Sequence, residues 1–178
     1  MDAVLGDFDM FLSDHASAEK KASGMAMNVA AHYPDKPRLL AAMADLAVEE
    51  LSHYREVVRL MLDRGVQPLA DTKDPYIHAL NDLVRKAPTH FLLDRLLMGA
   101  VVERRGAERF ALIADALTDP ALSRFYQAIA ASEERHWLLF IDLALAHCAT
   151  TDVWPRFNEL AAQETAVMLA QPPRAALH

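Results

Sequence analysis

The sequence predicts an all-α protein: four long helices paired as two antiparallel hairpins, a long connection between the second and third, and a shorter helix after the fourth. Three observations lead there. Helix breakers are few and clustered, falling at Pro34 and Pro37, Gly65 and Pro68, Pro75, Pro88, Pro120, Pro155 and Pro172–Pro173. The stretches between them are rich in Ala, Leu, Met, Arg and Glu, with apolar residues three and four apart. No stretch alternates with period two for long enough to make a strand.

Taken in order, long helices are expected at about 5–33, 37–64, 90–117 and 119–148, and a shorter one at about 153–170. The loops within each pair are short, which makes the paired helices antiparallel neighbours. Segment 66–88 is long for a bundle turn. It holds Asp71–Thr72–Lys73–Asp74–Pro75 and room for one short helix at 76–86, so it is expected to cross from one hairpin to the other. One long middle connection marks the ferritin-like variant of the four-helix bundle. No linker composition or low-complexity run divides the chain. Residues 1–178 are therefore expected to form a single ferritin-like domain, with a frayed tail at 171–178.

Composition narrows the function classes. With 178 residues, 53 % hydrophobic and 24 % charged, the chain suits a soluble globular fold with its own core. Cys148 is the only cysteine, which excludes a disulfide framework, a thiolate metal site and a CxxC redox pair. The reducing cytoplasm is the expected compartment. No apolar run approaches the length of a membrane span, so no membrane association is expected. The opening MDAVLGDFDMFL, with three aspartates and no basic stretch, lacks the form of a signal peptide. A net charge of −7 disfavours broad attraction to nucleic acid, so an RNA partner requires a locally basic surface.

Chemistry enters through glutamates and histidines. Glu50–Leu51–Ser52–His53 and Glu133–Glu134–Arg135–His136 are both Glu-x-x-His, and residues three apart on a helix share a face. Glu19 precedes Glu50 by 31 residues and Glu103 precedes Glu133 by 30, so each half of the chain reads Glu, one hairpin, Glu-x-x-His. Near-equal arms on either side of a turn bring the paired groups to one height. Two such hairpins converge four carboxylates and two imidazoles, the donor set of a di-iron or di-manganese carboxylate site. The neighbours suit an interior position: Met43, Leu46, Ala47 and Val57 flank Glu50, and Leu96, Gly99, Ala100, Ala107 and Phe110 flank Glu103. Glu108 is an alternative to Glu103, though its 25-residue spacing to Glu133 breaks the symmetry. His15, one turn before Glu19, is either a second-layer partner or a satisfied core histidine. Tyr54 and Tyr126 are candidates for shaping the pocket. The pairs Lys20–Lys21 and Arg104–Arg105 directly follow the two bare glutamates and could give a basic surface for RNA.

At these residues the sequence resembles the tRNA 2-methylthio-N6-isopentenyladenosine hydroxylases, the MiaE-type di-iron proteins. The likeness runs through DHASAEKKA at 14–22, EELSH at 49–53, GAVVERRGAERF at 99–110 and SEERH at 132–136, with further similarity at Arg64–Gly65–Val66 and Arg124–Phe125–Tyr126. It spans about residues 11–170. The resemblance implies O2-dependent hydroxylation of the isopentenyl group on a modified adenosine of the tRNA anticodon loop, with Glu19, Glu50, His53, Glu103, Glu133 and His136 as ligands to two iron ions. It also implies an external electron donor, a reductase or ferredoxin, because no flavin or dinucleotide fingerprint is present. A monomer or dimer is expected and no cage. The alternatives are a ferritin-like oxidase acting on another small substrate and an iron-binding or storage protein.

Overall fold

A computed structural model describes residues 1–177. Its elements are α1 (Asp2–Gly6), α2 (Phe8–His32), α3 (Pro37–Asp63), α4 (Pro75–Leu83), α5 (Pro88–Ala116), α6 (Pro120–His147) and α7 (Thr150–Ala170), with no strand among the described residues. The breaker prolines Pro37, Pro75, Pro88 and Pro120 all stand at the first helical position, as the expected starts near 37 and 119 anticipate for Pro37 and Pro120; there a missing N–H costs nothing and the fixed φ suits the helix. Aspartates cap three starts. The carboxylates of Asp7, Asp74 and Asp119 accept from the N–H groups of Met10, Tyr76 and Ala121. Asp7 also divides the expected first helix in two, leaving α1 as a short separate piece. The last helix starts at Thr150, three residues before the expected 153, and Pro155 lies within it, exposed, at the loss of one ladder bond.

The chain divides into two compact units, Met1–Thr72 with Pro173–Leu177, and Lys73–Pro172. In the first, α2 and α3 pack as an antiparallel hairpin over Phe11, Leu12, Leu39, Met43, Val57 and Met61, all buried. Ser23 Oγ donates to the Ala47 carbonyl at 2.9 Å across the pair. Gly65, at φ +73°, ends α3: its N–H reaches the Leu62 carbonyl and the Val66 N–H reaches that of Met61, a double bond pattern that needs a left-handed residue. The connection then runs along α2. The Leu69 N–H donates to Ser13 Oγ, Ser17 Oγ donates to Asp71, and Lys21 Nζ donates to the Thr72 carbonyl, at 2.9, 2.9 and 3.0 Å. The tail expected to fray has an anchor: Leu177 is buried and its N–H donates to Asp14 Oδ2 at 2.8 Å. His178 lies outside the described residues.

In the second unit α5 and α6 form the hairpin, and α4 and α7 brace it. Phe110 stacks on Tyr126 with ring centroids 5.7 Å apart. Gly99 allows close approach, since a Cβ there would meet the Phe140 ring at 2.9 Å. Two buried carboxylates fasten the braces. Asp94 accepts from the Arg85 backbone and side chain and from Arg156 Nε and Nη2. Glu164 accepts from Tyr76 Oη at 2.7 Å and from Arg105 Nε and Nη2 at 2.9 and 2.7 Å.

Burial alone would raise the Asp94 carboxyl, but hydrogen bonds from Arg85 and Arg156 outweigh it and hold the group at about 2. Asp94→Ala, which strands Arg156 in a buried site, should cost about 3 kcal/mol in denaturant unfolding at neutral pH. The carboxyl is depressed below its ordinary 3.8 in the folded state, so its contribution is complete above that value and is lost as pH falls toward 2. The wild-type and variant stabilities should therefore converge at acid pH.

Candidate metal centre

Each unit holds one of the two triads. In the first, Glu19 comes from α2 and Glu50 and His53 come from one face of α3; all three are buried. His53 Nδ1 lies 3.6 Å from Glu19 Oε2 and 3.5 Å from Glu50 Oε2. In the second, Glu103 comes from α5 and Glu133 and His136 from α6, again all buried. His136 Nδ1 is 3.9 Å from both Glu103 Oε2 and Glu133 Oε1. Within either triad one donor atom of each residue lies within 4.8 Å of the others.

These spacings fit a divalent ion. Oxygen and imidazole ligands sit ~2.1 Å from such an ion, so two of them stand up to ~4.2 Å apart. The imidazole-to-carboxylate distances in both triads fall inside that limit. Carboxylate and imidazole donors without a thiolate suit iron or manganese.

The electrostatics point the same way, because each triad puts two carboxylates out of water. Burial would lower the His53 imidazole, yet the Glu19 and Glu50 carboxylates push it up to about 10. Burial would raise Glu19, yet His15 and His53 hold it far below the usual carboxylate range. A position that keeps an imidazole protonated this strongly is one that demands positive charge, and a metal ion supplies more of it.

His15 is buried with Nε2 2.7 Å from Glu19 Oε1, its ring stacked on Phe11. It thereby fixes one oxygen of Glu19 while the other faces His53. The equivalent position four residues before Glu103 is Gly99, so the two halves differ in what backs the bare glutamate. Behind His136, Ser132 Oγ lies 3.5 Å from Nε2 and accepts from Arg135 Nη2 at 3.0 Å. Gly106 leaves room for Glu133: a Cβ there would stand 3.4 Å from Oε2. Tyr126 is buried and Tyr54 half-buried.

Between the two candidates on α5, Glu103 joins the triad and Glu108 is exposed, paired with Arg104 and Arg105. The four cations named for RNA are engaged within their own units. Lys20 pairs with Asp71 at 2.8 Å, Lys21 bonds the Thr72 carbonyl, Arg104 lies over the Trp137 ring, and Arg105 is forked onto Glu164. Sequence reasoning passed over Glu164 and Asp94. Glu164 carries a legible signal, since it continues the apolar row of Phe157 and Leu160 and is the one acid in that buried register.

The fold and the paired triads define an all-α, ferritin-like protein with carboxylate–histidine donor sets. A solved structure, Protein 43 with aldehyde deformylating oxygenase activity from Synechococcus, matches with a TM-score of 0.94 and 30 % identity, covering 99 % of this chain and 90 % of that one. A family model described as tRNA-(ms2io6A)-hydroxylase (MiaE) matches residues 3–178. The chain belongs to the MiaE tRNA hydroxylase family. The tRNA 2-(methylsulfanyl)-N(6)-isopentenyladenosine(37) hydroxylase of Pseudomonas putida is 38 % identical over 144 residues, 81 % of this chain and 70 % of that protein. The protein of the same name from Salmonella typhimurium is 35 % identical over 107 residues, 60 % of this chain and 39 % of its own length. No helix among the described residues is long and apolar enough to cross a membrane.

Groups that orient a metal ligand are worth about 10–100-fold in metal affinity. His15→Leu keeps an apolar body against Phe11 and removes the nitrogen on Glu19. Anaerobic titration with Fe(II) or Mn(II) should show a loss of that size, while His90→Ala, at an exposed position, leaves affinity unchanged.

Proposed function

We propose that this chain is a di-iron, O2-dependent monooxygenase that hydroxylates the isopentenyl group of 2-methylthio-N6-isopentenyladenosine in tRNA, and that Glu19, Glu50, His53, Glu103, Glu133 and His136 hold the two iron ions within a single domain. The observation that carries the metal assignment is the repetition of one buried Glu/Glu/His donor set in each hairpin. Membership of the MiaE family, and two relatives named as hydroxylases of this nucleoside, support the substrate.

When bound, the irons supply activation of dioxygen, and the protein supplies position and shelter. His15 keeps Glu19 turned so that Oε2 faces His53. Two carboxylates per ion balance its charge and keep each half near neutral. Phe110, Phe140 and Tyr126, all buried on the hairpin that carries Glu103 and Glu133, exclude water from that hairpin's interior. Two electrons come from a separate reductase or ferredoxin. Phosphates of the RNA would replace Asp71 and the Thr72 carbonyl as partners of Lys20 and Lys21, an exposed and weak pairing.

Purified protein reconstituted without oxygen should bind two irons per chain. Single-turnover exposure to O2 with a prenylated anticodon stem-loop should give the hydroxylated nucleoside by mass spectrometry. Glu50→Ala and Glu133→Ala should each lose at least one iron and all product. Full iron loading with no hydroxylation of the stem-loop would sink the substrate assignment and favour a ferritin-like oxidase of another small molecule. Loading far below one iron would sink the metal centre itself.

The basic residues separate cleanly. Lys20→Ala with Lys21→Ala should weaken stem-loop binding about tenfold and flatten its salt dependence, since each phosphate contact carries a counterion-release term. Arg105→Ala should instead lower the unfolding midpoint, because its fork holds a buried carboxylate.

A further inference from the structure

The two halves of the chain repeat the same donors but not the same support. Burial does not separate them, since Glu19 is 4 % exposed and Glu103 5 %. The difference lies in the turn on which each bare glutamate stands. Side chains three and four residues away share a glutamate's face on a helix. Around Glu19 these are His15, Ala16, Ala22 and Ser23; around Glu103 they are Gly99, Ala100, Gly106 and Ala107, with no polar side chain among them. A carboxylate only accepts, so the 2.7 Å contact puts a hydrogen of His15 Nε2 on Glu19 Oε1. Among the described residues no hydrogen bond reaches the Glu103 carboxylate, whose one polar neighbour is His136 at 3.9 Å. Nor is there space for a partner at the place His15 fills in the first half, because a Cβ on Gly99 would already meet the Phe140 ring at 2.9 Å. The second triad's support falls on its imidazole instead, from Ser132 Oγ at 3.5 Å, the outer limit of a hydrogen bond.

We propose that the two metal positions are unequal: the triad of Glu19, Glu50 and His53 takes its ion first and holds it more tightly, and His15 is the positioning residue that sets the difference. The inference rests on the reading that both triads hold metal. Two physical terms act in the same direction. Glu19 is already turned for ligation, with Oε1 tied to His15 and Oε2 toward His53, so its side-chain freedom is given up before the ion arrives. Glu103 has no such tie, and ordering it falls to the ion. The donors of the first triad also stand closer to working distance. Two ligands at right angles on an ion ~2.1 Å away are ~3.0 Å apart. The imidazole-to-carboxylate gaps are 3.5 and 3.6 Å in the first triad but 3.9 Å twice in the second, which must close further around its ion.

Anaerobic titration of the full chain with Mn(II), read as loss of the free-ion electron paramagnetic resonance signal, tests this without O2 or RNA. The wild type should bind two ions in steps separated by about 10–100-fold, the range that a partner behind a ligand contributes. One bound ion also repels the next, so variants that keep a single triad read each half alone. His136→Ala should retain one ion at the affinity of the first step, and His53→Ala one ion about 10–100-fold more weakly. Adding His15→Leu should weaken the former by that factor and leave the latter unchanged, with helical content by circular dichroism constant throughout. His15→Gln keeps a donor within reach of Glu19 and should recover part of the loss, which a packing defect would not allow. Equal affinities in the two single-triad variants, or a His15→Leu loss that falls on both alike, overturn the proposal and leave the metal centre standing. A wild type that binds no Mn(II) overturns the metal centre and the proposal together.

Discussion

Burying two carboxylates beside one imidazole is the constraint on which each hairpin is built. A carboxylate inside a helical pair is tolerated only when something positive stands next to it. In the first unit that role falls to His53, with His15 on the far oxygen of Glu19. The surrounding choices follow from keeping this group in place. Small residues such as Ala16, Ala26 and Ala47 let α2 and α3 lie close, and Ser23 ties the two by a bond to the Ala47 carbonyl. In the second unit Gly99 and Gly106 do similar service by leaving room for Phe140 and Glu133.

Around that centre the two units are stiffened differently. The first relies on its own connection, which lies along α2 and meets it at Ser13, Ser17 and Lys21. The second relies on two buried acids gripped by arginines, Asp94 joining α5 to α7 and to the start of α5's lead-in, and Glu164 joining α4, α5 and α7. Arg105 sits two residues after Glu103, so the fork onto Glu164 also limits how far the ligand-bearing turn of α5 can twist. Bidentate guanidinium–carboxylate pairs suit this task because their planar geometry fixes orientation as well as distance.

Much of this was legible in the residues. Long helices announce themselves by apolar spacing, and the Glu-x-x-His repeated at a near-constant interval after a bare Glu is equally a matter of local pattern; in the structure Glu103 rather than Glu108 stands beside His136. What escaped notice depended on tertiary choices that local pattern does not encode. Asp7 interrupts the first helix because a capping aspartate competes with continuation, and Pro155 sits inside α7 because its neighbours on that side face water. The Arg105–Glu164 and Arg156–Asp94 pairs join residues 59 and 62 positions apart, beyond any local periodicity. The placement of Lys20 and Lys21 against the connection likewise follows from the path of a segment with no regular structure of its own.

The bond from the Leu177 amide to Asp14 has a consequence for the order of assembly during synthesis. Asp14 lies one residue before the histidine that steadies Glu19, yet its partner is translated 163 residues later. The amino-terminal hairpin can therefore gather itself as it leaves the ribosome but is sealed only when the far stretch returns to clasp it. Contacts so distant along the polymer close slowly, which gives the nascent helices a long interval in an unlatched form.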